Sequence, residues 1–221
     1  MSIAQEIINI NNELPSTVKL VAVSKFHPAE CIEQAYAAGQ RVFAESRPQE
    51  LSAKAEILPK DIEWHFIGHL QTNKLKMVIP YVSLVHSVDS RKLLLEINKY
   101  SLAKGFKTRC LLEVFIAQEE SKQGFSEEEL MELIQELVDA PLEGVEICGL
   151  MGMASFTDNQ ELIRREFSKL SELFVRIKDG YGDSFPEFKE LSMGMSNDYP
   201  IAIEYGSTLV RIGTRIFGSR Y

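Results

Sequence analysis

Short apolar runs and longer amphipathic stretches take turns along this chain. The runs Val18–Ser24, Arg41–Ala44, Trp64–Ile67 and Leu84–Val88 read as strands, as do Thr108–Phe115, Val145–Met151, Phe188–Met193 and Leu209–Ile212. The first is apolar on both faces, the pattern of a parallel strand covered on both sides. Helical segments fill the gaps. Pro28 opens one that Gly39 stops, and a second follows Glu45-Ser46-Arg47-Pro48 and runs through Ile57. A third spans Gln71–Met77, and Ser90 caps a fourth that holds Leu94, Ile97 and Tyr100. Ser126 and Glu129 have capping-box spacing ahead of Leu130, Leu133, Ile134, Leu137 and Val138. Ile163, Phe167, Leu170, Phe174 and Ile177 recur every three or four residues, and Asn197–Tyr205 is a short helix before the last strand. Ahead of everything, Ile3, Ile7, Ile10 and Leu14 mark a leading helix.

Eight strands, each followed by a helical segment, predict a (β/α)8 TIM barrel with an extra N-terminal helix. An open, doubly wound sheet is the alternative. No linker or low-complexity segment interrupts the pattern, so residues 1–221 are expected to form one domain.

Composition narrows the function classes. The chain has 221 residues, 45% of them hydrophobic and 25% charged, enough for a full core. A net charge of -8 leaves no basic stripe for phosphates and argues against a nucleic-acid partner. No run approaches the ~20 apolar residues of a membrane span. Met1–Glu6 lacks the basic start and apolar centre of a signal peptide, so a cytoplasmic protein is expected. Cys31, Cys110 and Cys148 are odd in number and widely spaced, fitting neither a disulfide framework nor a zinc site. His65 and His69 lie four apart on a strand and a turn, not on one helical face, so no metal is expected. Glu119-Glu120 and Glu127-Glu128-Glu129 read as solvated loop and helix-start charges.

Barrels of this kind work at the C-terminal ends of their strands. Sorting by that rule gathers Lys25, Glu45, Ser46, Gly68, His69, His86, Asp89, Met151, Ser192–Ser196, Arg211, Gly213 and Thr214 at one mouth. Lys25 ends the first apolar run. Placed there, its amine is a candidate for Schiff-base chemistry; the alternative is a strand-end lysine that reaches water. Leu191–Asp198 leads from strand to helix, with Ser196 at the helix N-terminus, and Val210–Thr214 supplies a second turn with a hydroxyl and backbone N–H groups. Loops after strands seven and eight often hold a phosphate in such barrels, although Ser196 also suits a plain N-cap. A phosphate cup next to a strand-end amine fits pyridoxal 5′-phosphate. Arg211, on the same side of its strand as Gly213, would then meet the ring nitrogen; otherwise it is a structural ion pair.

These stretches resemble the pyridoxal phosphate homeostasis protein family, single-domain relatives of the barrel half of alanine racemase. The resemblance rests on Val21–Lys25, Trp64–Lys74, His86–Asp89, Leu191–Ser196 and Val210–Thr214. It implies that Lys25 carries the cofactor as a Schiff base. It implies also that Ser196, Gly213 and Thr214 hold the phosphate, that Arg211 faces the ring nitrogen, and that the role lies in vitamin B6 and amino-acid homeostasis. The family usually has Phe-Gly-Glu-Asn-Tyr after strand two; here Phe43-Ala44-Glu45-Ser46-Arg47 puts the shorter Ser46 on the ring side.

Two functions from different classes follow. One is a carrier that buffers the cofactor and delivers it to apo-enzymes. The other is an amino-acid racemase, which needs an acid/base group on each face of its substrate. The racemase relatives take one of these, a tyrosine, from a separate β domain. This chain ends just after strand eight, so the carrier without established turnover is the expectation, and so is a monomer.

Overall fold

The computed structural model describes residues 2–118 and 123–218. Helix α1 (Ile3–Glu13) precedes β1 (Lys19–Val23), α2 (Ala29–Ala37), β2 (Val42–Glu45), α3 (Pro48–Ile57) and β3 (Glu63–Phe66). A 3-10 turn at Thr72–Lys74 leads into α4 (Leu75–Val78), then β4 (Val82–Val88), α5 (Arg91–Lys104) and β5 (Thr108–Val114). The second half runs α6 (Glu127–Asp139), β6 (Val145–Gly152), α7 (Gln160–Tyr181), β7 (Glu190–Ser192), α8 (Tyr199–Glu204), β8 (Leu209–Ile212) and α9 (Thr214–Phe217).

Each strand pairs in parallel with the next, and β8 pairs with β1, so the sheet is a closed eight-stranded barrel. The expected TIM barrel with its leading helix is the observed fold, and the open sheet is not. Parallel pairing follows from the connections, since every strand is separated from the next by a helix that returns the chain to the same end. Side-chain alternation sorts the core into two layers. Val21, Val23, Ala44, Leu84, Leu111, Cys148, Met151 and Leu209 fill the barrel. The other strand face packs under the helices, with Ala22, Phe43, Phe66, Val85, Leu112 and Ile212 meeting Ile32, Leu51, Leu94, Ile134 and Phe167. Burying one such aliphatic side chain stabilises the fold by about 1.5–3 kcal/mol.

Several boundaries differ from the sequence reading. β2 extends through Glu45, which pairs with Phe66 of β3. β6 runs on to Gly152, which brings Met151 into the barrel interior. β7 is only Glu190–Ser192. The helix expected from Asn197 begins at Tyr199, with Asp198 at the N-cap position; the Asp198 Oδ1 accepts from the Met195 N–H at 2.5 Å and so tightens the turn ahead of the helix. Ser196 therefore lies in the turn before that helix and is not its cap. The capping box at Ser126 and Glu129 is present. Glu119 and Glu120 lie outside the described residues. All three cysteines are free thiols, and no helix among the described residues is long and apolar enough to cross a membrane.

Candidate functional site

The mouth is built where β1 and β8 meet. Their register pairs Val21 with Arg211 and Ala22 with Ile212. The next residue on β8 is Gly213, and a Cβ there would stand 3.0 Å from the Val23 carbonyl oxygen and 3.3 Å from its Cβ. Glycine is thus needed for the two strand ends to close on each other. Past this pairing the sequence continues as Ser24-Lys25 after β1 and as Gly213-Thr214 after β8. Lys25 is half-buried, in a turn two residues past the end of β1, rather than on the strand itself. Ser46 follows β2, the strand hydrogen-bonded to β1 through Ser24 N–H and the Ala44 carbonyl at 3.0 Å. Its backbone is pressed by Gly68, where any Cβ would collide with the Ser46 carbonyl oxygen.

Arg211 lies one layer below the rim and is 4% exposed. Its Nη1 donates to the Ser192 carbonyl at 2.9 Å and to Ser192 Oγ at 2.6 Å, and its Nη2 donates to the Gly152 carbonyl at 3.1 Å. Among the described residues no carboxylate lies within ion-pair distance of it, so the ion pair offered as an alternative is absent. Burial pushes the guanidinium down to about 10, against the raising influence of Asp198 and Glu113, and it stays charged at neutral pH.

Behind Arg211 runs a hydrogen-bonded chain that single-residue reading missed. Ser192 Oγ lies 2.9 Å from His86 Nδ1, and His86 Nε2 lies 2.9 Å from His65 Nδ1. Burial lowers His65 to about 3 and holds His86 well below its usual range, so both imidazoles are neutral. With Ser192 donating to His86 and His86 to His65, both of these hydrogen bonds form with the two imidazoles neutral. His65 and His86 were legible only as isolated histidines, because their partners lie 21 and 106 residues apart in sequence.

Glu113 was also missed. It is 2% exposed on the inner face of β5, and its Oε2 has no hydrogen-bond partner. Burial and the nearby Asp89 carboxylate push it up to about 7, although Arg211 pulls the other way. His69 stays at the rim, its Nδ1 2.9 Å from Asp89 Oδ2.

The structure thus brings Lys25, Gly213, Thr214, Arg211 and Ser46 to one end of three neighbouring strands, β1, β2 and β8. Ser196, in the turn after β7, stands at the same end. The residue chemistry fits pyridoxal 5′-phosphate: an amine for its aldehyde, hydroxyls and turn N–H groups for its phosphate, and a fixed, buried guanidinium for its ring nitrogen.

Comparison with known proteins places this geometry. The family model described as the N-terminal domain of alanine racemase matches residues 2–221. The pyridoxal phosphate homeostasis protein of Aquifex aeolicus is 42% identical over 203 residues, covering 91% of this chain and 87% of its own. The structure of PipY from Synechococcus elongatus, solved with PLP bound, superposes with a TM-score of 0.88 at 34% identity, covering 98% of this chain and 100% of that one. Alanine racemase from E. faecalis shares the fold, with a TM-score of 0.76 at 14% identity, and the likeness covers 98% of this chain and 57% of the racemase. The chain belongs to the pyridoxal phosphate homeostasis protein family, built on the alanine racemase N-terminal domain.

Proposed function

We propose that this chain binds pyridoxal 5′-phosphate as a Schiff base on Lys25 and serves as a carrier in vitamin B6 and amino-acid homeostasis. The observation that supports the reading is the β1–β8 register, which pairs Val21 with Arg211 and Ala22 with Ile212 just ahead of Ser24-Lys25 on one strand and Gly213-Thr214 on the other. Ser196, Gly213 and Thr214 hold the phosphate with hydroxyl and backbone N–H donors. Arg211 faces the ring nitrogen, and Ser46 lies on the ring side. When bound, the cofactor supplies an aldehyde that condenses with amines and a ring that draws off electrons.

The residues favour holding over turnover. Arg211 donates two hydrogen bonds to Ser192 and one to Gly152, so its position is fixed before anything binds. A fixed cation opposite the ring nitrogen opposes protonation there, which keeps the ring a weak electron sink. Lys25 offers an acid/base group on one face only. The relatives' name, homeostasis protein, supports the same role.

Two assays test the pair of functions together. Loaded protein mixed with an apo-enzyme that requires the cofactor is expected to restore that enzyme's activity. D- and L-alanine are expected to interconvert no faster than with free cofactor. Racemization that disappears in Lys25→Ala would reverse the choice in favour of the enzyme.

A further inference from the structure

The peptide groups on either side of Lys25 are both held by charged side chains of α3, a helix that contributes nothing to the cofactor contacts proposed above. Lys54 Nζ donates to the Ser24 carbonyl at 3.0 Å, the group just before Lys25. The Phe26 N–H, just after Lys25, donates to Glu50 Oε1 at 2.9 Å. The two anchors belong to one cluster. Lys54 Nζ also meets Glu45 Oε1 at 2.7 Å and Glu50 Oε1 at 3.5 Å, and Glu45 Oε1 accepts from Ser24 Oγ at 2.7 Å. Glu45 is fully buried and Lys54 is 7% exposed.

The turn they hold is an unfavourable one. Phe26 has φ = +70°, the one positive value at a non-glycine position among the described residues. A side chain with a Cβ rarely adopts that conformation and keeps it only where the surroundings over-determine it. Here a charge-assisted bond to Glu50 supplies part of that constraint, and Arg47 stacks 4.3 Å above the Phe26 ring. An isolated strand-end turn would need none of this, nor a buried ion pair beneath it, since replacing such a pair with apolar residues is often neutral for stability.

We infer that Glu45, Glu50 and Lys54 are positioning residues that lock the Ser24–Phe26 turn so that the Lys25 amine is pre-aimed at an aldehyde. The inference rests on the proposed Schiff base. In that step the neutral Lys25 amine adds to the aldehyde carbon, a C=N bond replaces C=O, and the oxygen leaves as water with both amine hydrogens. Nothing is oxidised or reduced. The lock acts by orientation: an amine already held near its attack geometry reacts faster than one that must first be fixed.

Glu50 is the safest position to test, because it is half-buried at the edge of the cluster. Glu50→Ala removes the acceptor of the Phe26 N–H, while Glu50→Gln keeps an oxygen there. With pyridoxal 5′-phosphate, Glu50→Ala is expected to form the Lys25 adduct about tenfold more slowly, and Glu50→Gln to recover to within about threefold of the wild type. Pyridoxine 5′-phosphate, which has the same phosphate and ring nitrogen but no aldehyde, is expected to bind all three proteins within about twofold. In cofactor-free protein the Phe26 amide is expected to exchange hydrogen faster in Glu50→Ala than in the wild type. An alanine variant that reacts at the wild-type rate overturns the inference. So does one that loses both ligands equally, which would mark a structural role alone. If the wild type itself forms no Lys25 adduct, the proposed function fails, and the lock is then judged on Phe26 exchange: faster in Glu50→Ala supports it, unchanged overturns it.

Discussion

A carboxyl held 2% exposed inside a barrel resists losing its proton. Glu113 is pushed from an ordinary 4.5 up to about 7, so between those values the folded protein keeps a proton that the unfolded chain has released. Stability from this group is therefore lost as pH rises from 4.5 to about 7, and stays lost above. Glu113→Gln has no such slope. Relative to the wild type it is expected to gain about 3 kcal/mol between pH 4.5 and pH 8, measured by urea unfolding of cofactor-free protein. Unfolding free energies that run parallel across that range in the two proteins would show that Glu113 does not hold the proton. At this scale the sequence was half legible. Lys25, Arg211 and Thr214 stood out because each polar group interrupts or ends an apolar run. Glu113 did not, since a lone glutamate in a strand reads equally well as a solvent-facing residue. His65, His86 and Ser192 become a chain only when β3, β4 and β7 are brought round one axis.

Pairing between β5 and β6 slips by one residue, Cys110 opposing Ile147 and Leu111 opposing Gly149, so Cys148 is the extra residue of a bulge. Gly149 sits there at φ = +150°, and a Cβ on it would lie 1.7 Å from the Glu190 carbonyl oxygen of β7. Gly149→Ala must push β7 away from β6 and is expected to cost about 3 kcal/mol or more. Gly180, near the end of α7, has open space where its Cβ would go, and Gly180→Ala is expected to stabilise by about 0.5 kcal/mol. Thermal unfolding of the two variants checks both signs; a mild effect at Gly149 would contradict the close strand approach. Elements were read well from period and caps, as Ser90 and Ser126 illustrate with their side-chain caps on α5 and α6. The error at Ser196 came from the rule that serine before a helix is its cap. The N-cap position falls instead on Asp198, two residues later, whose side chain turns back to accept from the Met195 N–H.

At the scale of the molecule, counting strands was enough to predict closure, because eight parallel strands with returning helices have a well-known closed solution. What the count did not contain is how the ends are fastened. Arg215 of α9 reaches Glu13 of α1 through Nη1 and Nη2 at 2.7 and 2.6 Å, and Glu6 through Nε at 3.2 Å. Tyr199 of α8 joins them by donating to Glu13 at 2.7 Å. These contacts span about two hundred residues of sequence and tie the leading helix to the segment carrying Thr214. The proposed phosphate turn is thereby anchored to the N-terminal helix, and the proposed amine to α3, so that both halves of the site are braced from outside the barrel.

Of the many lysines on this chain, Lys25 is the one proposed to accept the cofactor's aldehyde. Loading the protein with pyridoxal 5′-phosphate, reducing with borohydride and mapping the modified peptide by mass spectrometry tests it most directly. A single stoichiometric label on Lys25, absent from Lys25→Ala, is the expected result. A label on another lysine, or none above background, would contradict it.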